Sequence, residues 1–244
     1  MIIFIYIFKL ILKMQNKLKG LIFYSKNIKD NDLYIKILSS NDYVNSGIVY
    51  GGNSSKKKSI YQKGYFIDFI YRKKNENSPS VFTADICKPY ISNMYNDKFK
   101  LNALASILSL INISIFEGQQ IKGFYSGVFN LISKINDKDK WIIFYCEWLF
   151  DLLKFIGYQI DYNLNFNKKY FDLSHQEFTN LKTRNCIEFP HVFFQNYSNI
   201  NYSNLETIFG VFENIFSKNH LENINYKMPE SFKDFKKITL SKLR

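Results

Sequence analysis

The stretch GIVYGGNSSKKKSIYQKG, residues 47 to 64, places Lys56, Lys57 and Lys58 in a turn behind the paired Gly51 and Gly52. Three consecutive ammonium groups repel one another unless an anion faces them. The chemistry this suggests is recognition of phosphate, each contact releasing a condensed counterion. Arg72, Lys73 and Lys74 form a second basic cluster, and Lys26 and Lys36, with Lys19 and Lys29, extend the positive surface. Tyr50 lies beside the triplet and offers a ring on which a base can stack; Tyr65 and Tyr71 offer the same if they face outward. The candidate nucleic-acid-binding set is therefore Lys56, Lys57, Lys58, Arg72, Lys73, Lys74, Lys26, Lys36 and Tyr50.

Catalytic patterns are not found. Gly47 and Gly52 have the spacing of a phosphate-cradling loop, but Asn53 stands where that loop needs lysine. No nucleophile elbow or zinc-protease helix occurs, and the carboxylates are dispersed rather than paired for metal-assisted cleavage. His175, His191 and His220 are scattered, as are Cys87, Cys146 and Cys186, so neither a metal site nor a disulfide framework is expected. The expectation is a binding protein without enzyme activity, cofactor, metal or small-molecule substrate, working in a reducing cytoplasm.

Charge distribution sharpens this reading. The 244 residues carry a net charge of +12, and residues 17 to 74 hold 12 basic against 4 acidic side chains. Residues 75 to 244 hold 19 basic and 17 acidic, so the excess belongs to the first third. An acidic polymer is the expected partner. A basic peripheral membrane or scaffold protein is the alternative, because MIIFIYIFKLILK opens the chain; that apolar run is too short to span a bilayer and lacks signal-peptide features. Met14 offers a second start, which makes residues 1–16 an extension, and stable membrane association is not expected.

The elements that must hold these residues change character along the chain. Leu33, Ile35 and Ile37 alternate with Asp32, Tyr34 and Lys36, and Phe82, Ala84 and Ile86 repeat that period. With Gly20–Lys26, Asn45–Tyr50 and Tyr65–Tyr71, five strands are expected within residues 17–88, the size of a small barrel. Residues 89–244 turn helical. Helices are expected around Leu101–Ile115 and Ile121–Ile135, from an N-cap at Asp139 to a glycine stop at Gly157, and from a capping box at Ser203–Glu206, with a short one after Pro229. Residues 160 to 200 show little periodicity.

This order of parts resembles the RecO family of bacterial DNA repair proteins. Asn31-Asp32-Leu33, Ser46-Gly47-Ile48-Val49, Gly51 and Ser59 are similar to the N-terminal OB-fold of that family. YCEWLFDLLKFIGYQID, Tyr145 to Asp161, is similar to its central helix, and YFDLSHQEF with IEFPHVFF resembles its later segment. The resemblance implies an α+β chain, with an N-terminal five-stranded OB-fold barrel followed by a mainly α-helical domain. It also implies a non-enzymatic mediator that binds single- and double-stranded DNA, anneals complementary strands and assists recombinase loading in the nucleoid. RecR and single-stranded DNA-binding protein are the implied protein partners. Many members carry a four-cysteine zinc site where this chain has the cysteine-free run Tyr162 to Lys168, and the segment from Lys218 lacks the family's basic end motif.

Overall fold

The computed structural model describes residues 17–75, 78–88, 90–195 and 199–243. The proposed extension at residues 1–16 lies outside them. Strands β1 (Leu18–Lys29), β2 (Asp32–Ser39), β3 (Val44–Val49), β4 (Phe66–Arg72) and β5 (Ser80–Lys88) close into a barrel in the order β1-β2-β3-β5-β4. All neighbours are antiparallel except β3 and β5, whose parallel seam consists of Gly47 opposite Ser80 and Ile48 opposite Val81. The alternation seen in the sequence is the pleat itself: Leu33, Ile35 and Ile37 are buried inside while Tyr34 and Lys36 keep partial exposure.

Closure of the seam depends on a missing side chain. A Cβ at Gly47 would lie 2.1 Å from the Ser80 carbonyl oxygen and 2.6 Å from Cε2 of Phe82. Only glycine lets the two backbones approach this closely. The barrel unit also recruits a distant segment, residues 116–125, beyond the first 91 residues of the chain. Asp42 accepts from Gly123 N and Tyr125 N at 2.8 and 2.9 Å, Val44 N donates to the Gln119 carbonyl, and Gly118 N donates to the Val44 carbonyl.

The second unit comprises Ser92–Ile115 and the chain from Ser126 onward. Its helices come after α1 (Tyr90–Met94): α2 (Lys98–Ser114), α3 (Phe124–Asp137), α4 (Trp141–Phe155), α5 (His191–Gln195), α6 (Tyr202–Phe216) and α7 (Glu230–Ser241). α2 packs on α7 and α4 on α6 around Tyr145, Phe209, Phe232 and Phe235, all buried. The one hydroxyl in that aromatic cluster is satisfied, Tyr145 Oη lying 2.7 Å from Ser106 Oγ.

Helix ends differ in detail from expectation. α4 starts after Lys140 rather than at Asp139, and no side chain caps it. Its stop is as read: Gly157 has φ +92°, Gly157 N donates to the Lys154 carbonyl and Tyr158 N to that of Leu153, the paired bonds of a Schellman motif. The cap of α6 is Asn201, whose side chain accepts from Asn204 N at 2.9 Å, so Ser203 already sits inside the helix and makes no capping box. Between α4 and α6, the aperiodic stretch contains three antiparallel strands of three residues each: β6 (Tyr170–Asp172), β7 (Glu177–Thr179) and β8 (Cys186–Glu188), in the order β7-β6-β8. Aromatic packing among Phe171, Phe178, Phe189 and His191 holds them.

Candidate nucleic-acid interface

Strand register fixes which side chains share the barrel's outer surface, because directly paired residues point to the same face. Lys26, Tyr34, Ile48, Val81 and Arg72 form one continuous row across β1, β2, β3, β5 and β4. Lys26 and Arg72, at its ends, are both exposed. Four strand spacings of about 4.8 Å separate them, on the order of 19 Å along the curved surface.

A bulge sharpens the next row. The register of β1 slips between Ile22 and Tyr24, bringing Tyr24 opposite Lys36. Lys36 Nζ lies 5.4 Å and Lys63 Nζ 5.9 Å from the centre of the Tyr24 ring, while Tyr34 meets that ring edge-on at 6.3 Å. Two ammonium groups are thus gathered at one partly exposed ring, the combination that serves stacked bases and their phosphates. Tyr24, Tyr34 and Lys63 are outside the set chosen from sequence. The alternation of β2 already put Tyr34 on the polar face beside Lys36; the bulge that brings Tyr24 to Lys36 leaves no trace in composition.

The connection from β3 to β4 carries the lysine triplet. Lys56, Lys57 and Lys58 are all exposed, on consecutive turns closed by Lys57 N and Lys58 N donating to the Ser54 carbonyl. Its base is tied to the β1–β2 turn: Gly51 N donates to Asp32 Oδ1 at 2.7 Å and Asn53 N to the Asn31 carbonyl at 2.7 Å. Lys57 Nζ donates to the Tyr50 carbonyl at 2.9 Å, folding one of the three cations back over its own turn. Tyr50 is 55% exposed. Tyr65 is core rather than a stacking surface, and Tyr71, though partly exposed, packs on Phe69 and Phe82. Lys73 and Lys74 are exposed beyond β4.

Charge is uneven around the barrel. Asp68 and Asp85 face each other across β4 and β5, with Lys17 Nζ 3.6 and 3.5 Å from their carboxylates. Lys19 sits opposite Asp68 and Lys29 opposite Asp32, so these two lysines are set against carboxylates instead of adding to the basic surface. Burial and the nearby Asp68 push the Cys87 thiol up, and burial pushes the Tyr125 hydroxyl up to about 12, so neither ionises at neutral pH. In the insert, the backbone N–H groups of His175 and Ser174 hold the Asp172 carboxyl down at about 2, and His175 Nδ1 lies 3.2 Å from it. Among the described residues, no group of three or more His, Cys, Asp or Glu side chains is placed to hold a metal, and no helix is long and apolar enough to cross a membrane.

No protein-family model matches the chain. The DNA repair protein RecO of Rickettsia canadensis (strain McKiel) is 29% identical over 145 residues, 58% of either chain. Those of Rickettsia bellii (strain OSU 85-389) and Rickettsia akari (strain Hartford) are 28% and 29% identical over 143 and 142 residues. Over that part the chain is similar to proteins named DNA repair protein RecO. The match to RecO spans 58% of the length of the first of these relatives, and the closed barrel followed by helices agrees with the OB-fold and helical domain that the RecO motifs imply.

Proposed function

We propose that this protein is a DNA-binding factor of DNA repair, which acts by holding strands rather than by chemistry on them. The observation that carries the reading is the outer barrel surface around Tyr24, where Lys36 and Lys63 converge on one ring in a row next to Lys26 and Tyr34. The names of its relatives supply the context of repair.

In this reading a single strand crosses β1 and β2 with its bases toward Tyr24 and its phosphates on Lys36, Lys63 and the Lys56–Lys58 turn. Arg72, Lys73 and Lys74 take phosphates at the far end of the outer row. Lys26 lies at its near end and Tyr50 at the root of the turn, both open to solvent. A strand held by its backbone, with bases accessible, is prepared for pairing with its complement. The finer activity proposed is therefore annealing and support of recombinase loading, with RecR and single-stranded DNA-binding protein as partners and the nucleoid as its place of work.

Electrophoretic mobility shift with a single-stranded oligonucleotide, repeated over a salt series, tests this. Converting Lys56, Lys57 and Lys58 to Gln lowers affinity and reduces the magnitude of the log–log salt slope by about 2, at roughly 0.7 per lost phosphate contact. Binding indifferent to salt, or an unchanged slope in the triple variant, refutes the assignment. Acceleration of complementary-strand annealing is the expected activity.

A further inference from the structure

β1 outruns its partner on one side. Its pairing with β4 ends at Leu21 opposite Phe66, and two more bonds, Ile22 N to the Tyr65 carbonyl and Gly64 N to the Ile22 carbonyl, close that edge. From Tyr24 onward β1 pairs with β2 alone. The β3–β4 connection runs alongside, leaving a cleft of about 300 Å³ between it and the strand.

The cleft has three kinds of wall. Leu33 and Tyr61, both 5% exposed, form only its apolar floor, and the Tyr61 ring is fixed because its hydroxyl oxygen accepts from Ala84 N at 3.0 Å. Asn27, Asn53 and Gln62 supply side-chain amides, each a donor and an acceptor; the Gln62 amide donates to the Lys58 carbonyl at 2.8 Å, which leaves its oxygen to accept. Lys58 and Lys63 supply cations at the rim, and Lys63 is the same residue that approaches Tyr24. The volume stands at the lower end of ligand sites, enough for one nucleotide and too little for a base pair.

We propose that this cleft receives one unstacked nucleotide of a single strand. The base enters between Asn27, Asn53 and Gln62 with its edge toward their amides and its tip against the floor of Leu33 and Tyr61, and the adjoining phosphates rest on Lys58 and Lys63. Amides that both donate and accept can pair with any base edge, so the cleft distinguishes unpaired from paired DNA without selecting a sequence. A base in a duplex must first leave its stack and its partner, which costs binding energy. The inference rests on the DNA-binding reading above and adds to it a site at which strandedness is sensed.

Fluorescence anisotropy on the full chain tests it with three probes: an oligothymidylate, an oligomer of equal length made of abasic sites, and a duplex. The unaltered protein binds the oligothymidylate roughly tenfold or more tighter than the abasic oligomer, the range expected for an accommodated base. Asn27→Phe, which fills the cleft from an exposed strand position, and Gln62→Leu, which removes an amide from the other wall, each reduce that preference and leave duplex affinity unchanged. Melting curves establish that each variant is folded, and either one suffices for the test. Equal affinity of the unaltered protein for both single strands overturns the cleft while leaving DNA binding intact. A preference that survives in a folded variant also overturns it. No binding of any probe overturns the DNA-binding reading and the cleft together.

Discussion

Gly47→Ala is expected to spring the barrel at its parallel seam. The added methyl meets the Ser80 carbonyl oxygen at 2.1 Å, the Ser80 carbonyl carbon at 2.8 Å and the buried Phe82 ring at 2.6 Å. None of these is the free end of a flexible side chain, so the strands must separate. Overpacking of this kind costs about 1–3 kcal/mol. Loss of the bonds of a seam only two residue pairs long adds about 2 kcal/mol, at roughly 1 kcal/mol each. Restriction of the unfolded chain by alanine offsets about 0.5–1 kcal/mol. The net loss is about 2–4 kcal/mol, or roughly 10 °C in melting temperature for a chain of this size. Urea denaturation and calorimetry measure it. Gly210→Ala is the control: a Cβ there meets nothing within 4 Å and lies inside α6, so it is expected to stabilise by about 0.5–1 kcal/mol. A Gly47→Ala protein within about 0.5 kcal/mol of the parent would show that the close approach does not govern closure.

Three further outcomes follow from local geometry. Asp32→Ala removes the acceptor for Gly51 N and is expected to cost about 1–2 kcal/mol in urea unfolding while speeding amide exchange at Gly51, with Asp32→Asn recovering most of the loss. Gly157→Ala places a side chain at φ +92° and is expected to cost about 1 kcal/mol, read as a lower melting temperature with the far-ultraviolet circular dichroism unchanged. The Asp172 carboxyl is depressed to about 2 in the folded chain, so the unfolded chain takes up the proton first as pH falls. Its contribution is complete above the ordinary carboxylate range and disappears as pH drops from about 4 to about 2. The stability difference between Asp172→Asn and the parent should therefore shrink over that interval, which acid titration of urea midpoints checks.

The barrel was legible because its strands are half-buried: Leu33, Ile35 and Ile37 announce a pleated face, and the long helices carry their own apolar stripes. What escaped depends on pairings between distant residues. The slip in β1 that sets Tyr24 against Lys36, the approach of Lys63 to the same ring and the tether from Asp32 to Gly51 are decided by register, which no local pattern records. Strands of three residues, as in β6 to β8, are too short for a period of two to show. Capping failed by a residue or two because several polar residues compete at each helix start, and Asn201 lies two places before the Ser203 that matched the motif.

The return of residues 116–125 to the barrel has a consequence for anyone wishing to move it between proteins. A fragment cut after β5 looks complete by strand count, yet it leaves the Asp42 carboxylate and the Val44 backbone without the groups that Gln119, Gly123 and Tyr125 bring to them. The barrel is therefore not a detachable cassette: transplanting it requires the excursion through α2 to be carried along, or replaced by a short bridge that delivers the same backbone groups.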